Sequence, residues 1–505
     1  MERPRICITL TGKTLKENLD VLDKYRDCVD MAELRADFLT DDERLVVRQF
    51  PRLAGIPCIL TLRRVVDGGK FKEGEASRTI LFARALSFAE ADKSKNFEYV
   101  DFEEDFHVPS LQDAALAFGT RIIRSVHDMN SPVPNLVQRL ESLRTTGFEI
   151  PKIAFMPRTL DDVTEMFREA SFLTDTNHIL IAMGPLGLPT RILSYKLKNY
   201  LTFVSPAGED SGISNLGQVD PVSINSLYHF QSINNETKIF GVTGWPLTLT
   251  SSPSLHNSGY KGHGMNAVYI PLKAEKFESA LAFADMVGME GLSVTVPHKE
   301  KVLEMVSACD QKVRTIGASN TLVKKGDIWY AHNTDADGFS RALLTFTGLK
   351  DLKGKKVAII GAGGAAKAVA YAVKMLRGKA CIFNRTINRA KELAEQYGFD
   401  YSGLGGVLLS DSRNDTCKLL KKYSDIIIQT TSVGMNATLP ATDKNDPIYF
   451  YSFSGKEILF DIVYVPSVTP VMARAAEAGC RVCNGYDMLR FQGYEQFKMF
   501  TGTDY

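Results

Sequence analysis

Eight short apolar, β-branched runs punctuate the first half of the chain, and no other feature restricts its folding as much. They are Ile6 to Leu10, Val29 to Leu34, Cys58 to Leu62, Tyr99 to Phe102, Ile122 to Val126, Ile150 to Phe155, Ile179 to Met183 and Leu201 to Val204. Between most of them lie helix-length stretches with apolar residues at 3.6-type spacing, such as Ser77 to Ala91, Asn135 to Leu143 and Leu160 to Phe172. Eight strands alternating with helices over roughly 220 residues predict a (β/α)8 barrel; on pattern alone a doubly wound open sheet is the alternative.

At 505 residues the chain is too long for one ordinary core, so two or three domains are expected. Residues Ser205 to Asn235 are rich in Gly, Ser, Asn and Pro and lose the alternation, which ends the barrel in loop with room for one terminal helix. A second α/β block opens at Lys238-Ile239-Phe240-Gly241, and near Lys355 a strand, glycine turn and helix begin a third. The expected boundaries are 1–232 for the barrel, 237–343 for a substrate-binding α/β domain, 344–470 for a Rossmann-type domain and 471–505 for C-terminal helices returning to the substrate domain. A formal net charge of +1 without a basic patch excludes a general polyanion binder. No run approaches the roughly 18 to 20 apolar residues of a membrane span, and no targeting segment is visible, so a soluble protein is expected. The eight cysteines lie mostly in apolar runs, as suits reduced core thiols; Cys480 and Cys483 form a CxxC with no second ligand pair, so they read as packed thiols and no metal is expected.

Lys152 is the most informative residue of the first half, because it stands in the apolar strand Ile150-Pro151-Lys152-Ile153-Ala154-Phe155, where burial would make a neutral amine available for attack on a ketone. A strand lysine paired with a carboxylate is the commoner case. Other polar residues mark the ends of most predicted strands: Glu33 and Arg35, Arg63, Asp101 and Glu103, His127 and Asp128, and Arg191. Barrel strand ends converge on one mouth, so these residues would ring one pocket. The arginines suit an anionic substrate and His127 a proton transfer.

The stretches Glu33-Leu34-Arg35-Ala36-Asp37, Thr61-Leu62-Arg63, Asp67-Gly68-Gly69, Ser125-Val126-His127, Lys152-Ile153-Ala154 and Met183-Gly184 through Arg191 resemble, in order, the signatures of type I 3-dehydroquinate dehydratases. The resemblance implies that Lys152 forms a Schiff base with the substrate ketone and that His127 moves protons during syn elimination of water. It also implies that Glu33, Arg35, Arg63 and Arg191 hold the carboxylate and ring hydroxyls, with Ser214 and Gln218 on a closing loop. Asp67 stands where that family usually has Glu, in the place of the carboxylate that orients the histidine.

In the second half, Gly361-Ala362-Gly363-Gly364-Ala365-Ala366 follows an apolar strand and opens a helix, the shortened form of a dinucleotide fingerprint. The next strand ends in Asn384-Arg385-Thr386 rather than in an acid. Arg385, Thr386 and Arg389 offer charge and hydrogen bonds to a 2′-phosphate, which predicts NADP(H) over NAD. Ahead of this lie Ser293 to Lys299, Ala318 to Thr321 and Asn333-Thr334-Asp335, a constellation in which a lysine and an aspartate can pass a proton to a carbonyl under hydride reduction.

These stretches, with Gly244-Trp245-Pro246 through Thr250 to Pro253, Thr431 to Met435, Asp461 through Tyr464 and Gly485 through Gln492, resemble shikimate dehydrogenases. The resemblance implies a Lys299–Asp335 catalytic pair and substrate contacts from Thr250, Ser252, Thr295, Asn320, Tyr464 and Gln492. It places the cofactor against Gly361, Ala362, Gly363, Gly364, Ala365, Asn384, Arg385, Thr386, Arg389 and Gly485. Thr250 stands where many members have Ser, and Ser293 where many bacterial members have Asn. The two halves together imply a bifunctional lyase and oxidoreductase whose first product is its second substrate, acting on 3-dehydroquinate, 3-dehydroshikimate and shikimate with NADP(H), in a cytoplasm or in a plastid stroma after removal of a transit peptide. The alternatives are a quinate dehydrogenase in the second half, or a catalytically impaired ligand sensor.

Overall fold

The computed structural model describes residues 3–86, 90–207, 216–247, 250–306, 308–404 and 410–505. Two compact units divide the chain: residues 1–241 with 260–289, and residues 242–259 with 290–505.

All eight expected strands of the first half form: β1 (Arg5–Leu10), β2 (Met31–Arg35), β3 (Cys58–Thr61), β4 (Tyr99–Glu103), β5 (Arg121–Asp128), β6 (Ile150–Phe155), β7 (Ile179–Ala182) and β8 (Leu201–Val204). They make one parallel sheet in the order β7-β6-β5-β4-β3-β2-β1-β8. At the β7/β8 seam a side chain does what a ladder does elsewhere: Asn199 donates to the Leu180 carbonyl at 2.9 Å and accepts from the Leu180 N–H at 2.7 Å. The Tyr200 N–H adds a bond to the His178 carbonyl at 2.8 Å. The sheet is thus a near-closed barrel, and the open-sheet alternative falls.

Period-two alternation fills the barrel. Cys7, Met31, Ile59, Tyr99, Ile123, Ile150, Ile179 and Leu201 share one buried apolar cluster. Two residues further along the strands stand Thr9, Glu33, Thr61, Asp101, Ser125 and Lys152, all buried. The apolar layer is therefore the floor on which a polar layer stands. Outside, helix Leu160–Ser171 buries Val163, Met166, Phe167 and Ala170, the i, i+3, i+4, i+7 stripe of an amphipathic helix, and a Thr159/Asp162 capping box starts it.

The second sheet is mixed. Its strands are β9 (Lys238–Gly244), β10 (Ala267–Lys273), β11 (Met289–Val294), β12 (Ala308–Cys309), β13 (Thr321–Lys325) and β14 (Ile328–His332), in the order β10-β9-β11-β13-β14-β12. The third comprises β15 (Lys356–Ile360), β16 (Lys379–Asn384), β17 (Asp400–Gly403), β18 (Ile426–Gln429), β19 (Ile458–Asp461) and β20 (Arg481–Cys483). All its neighbours are parallel, and the order β17-β16-β15-β18-β19-β20 is the 3-2-1-4-5-6 order of a dinucleotide-binding sheet, whose ligand crevice opens between the first and fourth strands.

The C-terminal region departs from expectation. Helix Pro470–Glu477 does not return to the substrate domain: Val471, Met472 and Ala475 share the buried cluster of Ile360, Phe383 and Leu459, and β20 extends the nucleotide sheet. Only helix Tyr486–Thr501 returns. It lies so close to helix Asp335–Thr347 that a Cβ on Gly338 would stand 2.7 Å from the Gln492 backbone nitrogen. The physical reason is that the apolar face of 470–477 is needed to cover one side of the parallel sheet, whose strands are buried on both faces.

Two candidate active sites

Lys152 sits on β6 with its side chain inside the barrel and almost no exposure. Its ammonium donates to Asp101 Oδ2 at 2.9 Å and stands 4.6 Å from the centre of the Phe203 ring. Asp101 is shared: Arg63 donates to Oδ2 at 2.8 Å and Ser125 to Oδ1 at 2.5 Å. Burial works against its charge, but Arg63 and Lys152 overcome it and hold the carboxyl well below the usual carboxylate range. Arg63 also reaches Glu103 at 2.8 Å, and Glu103 is paired in turn with the buried Arg78. Lys152 is thus buried and ion-paired, not an isolated desolvated amine.

One cavity at the end of the barrel strands gathers Glu33, Arg35, Arg63, Asp67, His127, Lys152, Arg191 and Gln218. Glu33 accepts from Thr61 at 2.8 Å and Thr9 at 3.1 Å. Arg35 forks onto Asp37 with two 2.8 Å bonds. His127 is pushed well below the ordinary histidine value by burial and then by the charges of Arg63 and Lys152, so its resting form is the neutral imidazole. Its Nδ1 is buried without a hydrogen-bond partner among the described residues.

Arg191 differs from the other arginines of the cavity. Among the described residues it donates only to backbone carbonyls, Leu216 at 2.8 Å and Phe203 at 3.4 Å, and its Nε has no partner there. No carboxylate pairs with it among the described residues, and burial alone lowers its pKa to about 10. A buried guanidinium without a counter-ion is a receptor for an anion.

One expectation needs amendment, and one falls on residues not described. Asp67 lines the cavity, but its carboxylate accepts from Arg64 Nε at 2.7 Å and makes no bond to His127. The side chain one methylene shorter than Glu is held by the neighbour at i−3. Ser214 lies outside the described residues. Sequence reasoning missed Asp101 as a site residue although it marked it at a strand end. The usable signal was the alternation that puts positions 101, 125 and 152 in one inward layer.

In the second unit, Lys299 Nζ meets Asp335 Oδ2 at 2.5 Å. Asp335 opens helix Asp335–Thr347 and is buried. Its Oδ1 accepts from Asn320 Nδ2 at 3.0 Å, and the same amide lies 3.1 Å from Gln492 Oε1. Thr250 and Ser252 hydroxyls are 3.2 Å apart, and the half-buried Tyr464, its phenol pushed up by burial and down by Ser251 and Thr250, stands beside them. Thr295 donates its N–H to Thr243 at 2.9 Å and presses its methyl on Gly244, where a Cβ would stand 2.5 Å away.

The glycine loop brings Lys299 to the nucleotide domain. A Cβ on Gly364, the first residue of helix Gly364–Met375, would lie 2.8 Å from the Lys299 Cβ. Gly361 has φ +118°, and a Cβ there would meet Thr430 Oγ1 at 2.4 Å; one on Gly363 would enter open space. Together with Ala362 and Ala365 these positions leave a bare helix N-terminus, the cradle a pyrophosphate requires. Arg385, Thr386 and Arg389 are exposed just beyond β16, and neither guanidinium has an acidic partner among the described residues. Asn384 turns its amide onto the Thr386 carbonyl at 2.9 Å. The residues fit NADP(H). Gly485 is required for packing: a Cβ would fall 1.9 Å from the Ile462 carbonyl oxygen.

Among the described residues no three His, Cys, Asp or Glu side chains are grouped to hold a metal ion, and no helix is long and apolar enough to cross a membrane. Cys480 bonds Glu457 and Cys483 bonds the Asn484 carbonyl, each apart from the other.

Three family models match the chain in order: type I 3-dehydroquinase over residues 6–235, shikimate dehydrogenase substrate binding domain over 242–322, and shikimate/quinate 5-dehydrogenase over 344–462. A chloroplastic bifunctional 3-dehydroquinate dehydratase/shikimate dehydrogenase of Arabidopsis thaliana is 31% identical over 94% of this chain and 78% of its own length. The NADP(+) shikimate dehydrogenase of Carboxydothermus hydrogenoformans is 35% identical over 54% of this chain and 94% of its own. A crystal structure of a shikimate dehydrogenase in complex with NADP+ aligns at 30% identity and TM-score 0.47, covering 54% of this chain and 92% of that one. The chain belongs to the family of bifunctional 3-dehydroquinate dehydratase/shikimate dehydrogenases.

Proposed function

We propose that the barrel dehydrates 3-dehydroquinate to 3-dehydroshikimate and that the second unit reduces this product to shikimate with NADPH. The observation that carries the reading is one cavity lined by a strand lysine, a neutral histidine and an arginine with no counter-ion among the described residues. Each meets a separate need of the reaction.

Arg191 takes the substrate carboxylate, and Glu33, Arg35, Arg63 and Gln218 orient the ring. Lys152 passes its ammonium proton away, attacks the ring ketone and, with loss of water, forms an iminium. His127 removes the proton from the carbon between the iminium and the tertiary alcohol, and the electrons move into an enamine. The enamine expels the hydroxyl, which leaves as water with the proton from His127. A second water hydrolyses the imine, restoring Lys152 and a ketone now conjugated to the new double bond. One water is lost overall. Neutral His127 is the form that can accept the first proton.

In the second unit bound NADPH supplies hydride to the ketone carbon. Lys299 donates the proton to the developing alkoxide and Asp335 holds Lys299 in place. Thr250, Ser252, Thr295, Asn320, Tyr464 and Gln492 hold the carboxylate and hydroxyls, and Arg385 and Arg389 take the 2′-phosphate. Shikimate over quinate is favoured because the flat conjugated ring is the product the first reaction delivers. The compartment is a reducing aqueous one, in keeping with eight free cysteines; the Arabidopsis relative's chloroplast designation makes a plastid stroma a reading alongside cytoplasm.

The test is one mixture of purified protein, 3-dehydroquinate and NADPH, followed for shikimate and for cofactor oxidation. Both are expected in equal amounts. Accumulation of 3-dehydroshikimate without NADPH oxidation would reject the second half of the proposal, and absence of both products the whole.

A further inference from the structure

Behind Asp335 lies a run of buried amides and hydroxyls. Gln496, on helix Tyr486–Thr501, is nearly inaccessible to solvent, as are Ser293, Asn320, Thr321 and Thr334. Gln496 Nε2 donates to the Asn320 backbone carbonyl at 3.1 Å and to Thr321 Oγ1 at 2.9 Å. Its Oε1 accepts from Ser293 Oγ at 2.9 Å. Thr321 Oγ1 donates to Asn320 Oδ1 at 2.9 Å, which also accepts from the Thr334 N–H at 2.8 Å. Asn320 Nδ2 then donates to Asp335 Oδ1.

The direction of every bond follows from two backbone groups. An amide side chain can be turned over without changing its outline, so its orientation is settled by partners of known polarity. The Asn320 carbonyl only accepts, so the nitrogen of Gln496 must face it, and the oxygen must then face Ser293. Thr321, taking a hydrogen from Gln496, is left to donate its own to Asn320. The Thr334 N–H only donates, which independently fixes the oxygen of Asn320 on that side and its nitrogen toward Asp335. His256 is the titratable side chain facing Gln496; burial lowers its pKa to about 3, so it is neutral throughout the working range. Lys299 is the charged group facing Asp335 among the described residues.

We infer that Gln496 is a positioning residue for the reduction: the chain Ser293, Gln496, Thr321, Asn320 aims the Asn320 amide N–H at Asp335 Oδ1 and so reserves Oδ2 for Lys299. Gln496 touches neither substrate nor cofactor in this role. Bonds polarised in one direction reinforce one another in a dry interior, so a break upstream weakens the last one. It also gives the serine at position 293 a purpose, since its hydroxyl donates where the Gln496 oxygen needs a partner. The inference rests on the proposed roles of Lys299 and Asp335.

The experiment measures kcat and both KM values for 3-dehydroshikimate reduction by the full chain carrying Gln496→Leu, Thr321→Val, Thr321→Ser or, separately, Lys299→Ala. Gln496→Leu and Thr321→Val are each expected to lower kcat about fivefold to tenfold, the size of one or two buried hydrogen bonds, with the KM for NADPH unchanged. Thr321→Ser, which keeps the hydroxyl, retains the parent kcat. If Gln496→Leu fails to fold, Thr321→Val against Thr321→Ser carries the test alone. An unaltered kcat in Thr321→Val, or a loss in Thr321→Ser equal to that in Thr321→Val, overturns the inference. Undiminished reduction by Lys299→Ala would instead refute the underlying assignment, whatever the other variants do.

Discussion

Around Lys152 the barrel buries full charges: Arg35 against Asp37, Arg63 between Asp101 and Glu103, Lys152 on Asp101, and Arg191 with no acid partner among the described residues. Around Asp335 a single ion pair, Lys299 with Asp335, is set in a frame of neutral amides and hydroxyls from Asn320, Thr321, Thr334, Gln492 and Gln496. The contrast follows from where each reaction finds its charge. A covalent catalyst must itself carry an amine through charged intermediates, and burying charges is tolerable only when they compensate one another. A reductase borrows hydride from a cofactor and needs the protein mainly to orient hydroxyls and move one proton, which dipoles can frame without a large desolvation cost.

Removing Lys152 breaks that comparison most sharply, because it deletes the atom proposed to form the bond. Lys152→Ala is expected to lower dehydration about 10⁴-fold or more while reduction of supplied 3-dehydroshikimate continues unchanged. The readout is the ultraviolet absorbance of the conjugated product, with borohydride trapping as a second: the parent protein gains substrate mass at Lys152 and the variant does not. Dehydration by the Ala variant at the parent rate would show that the buried charges serve another reaction.

Arg191→Ala tests the unpaired cation. If Arg191 holds the substrate carboxylate as proposed, a charge-assisted contact is lost and the KM for 3-dehydroquinate is expected to rise about 10-fold to 100-fold. Arg191→Lys should recover little of this, because a lysine cannot present the planar fork. An unchanged KM in Arg191→Ala would place the carboxylate elsewhere. On the reductase side the corresponding cation, Arg385, is exposed, so its proposed contact is expected to be weaker. Arg385→Ala is expected to raise the KM for NADPH about tenfold without altering that for NADH. Equal effects on both cofactors would mean that Arg385 does not meet the 2′-phosphate.

The same contrast decides what could be seen beforehand. The barrel was legible because each strand is a local signal, a run such as Ile150 to Phe155 that no helix period fits, and Lys152 stood out as a cation inside one. Its partner was not legible: Asp101 lies 51 residues away and meets it only through the register of three adjacent strands. The β7/β8 seam depends on the single side chain of Asn199, which in sequence looks like any loop asparagine. The glycine loop and the Arg385 turn are local, and both were placed. The return of helix Tyr486–Thr501 and the non-return of Pro470–Glu477 are tertiary choices that helical spacing cannot separate. Gln496 reads as a surface polar residue until that helix packs.

The smallest expected effect comes from Asp67, and it sets the barrel's internal logic against the resemblance. If Asp67 oriented His127, its loss would free the imidazole and cost catalysis dearly. Here its carboxylate is instead tied to Arg64, which also pairs with Asp105, while His127 Nδ1 has no partner among the described residues. Asp67→Asn is therefore expected to change the dehydration rate no more than about threefold, as for a partly exposed ion pair. His127 owes its depressed pKa to burial and to Arg63 and Lys152, none of which the substitution touches. The neutral base thus persists as pH falls below 6.5, and the acid limb of dehydration should lie on the acid side of that value in parent and variant alike. The sign carries over to stability. Below 6.5 the unfolded chain takes up a proton at position 127 that the folded barrel refuses, so the barrel should lose stability as pH falls through this window. A loss in Asp67→Asn of more than tenfold, with the acid limb displaced, would mean that Asp67 leaves Arg64 for His127 when substrate binds.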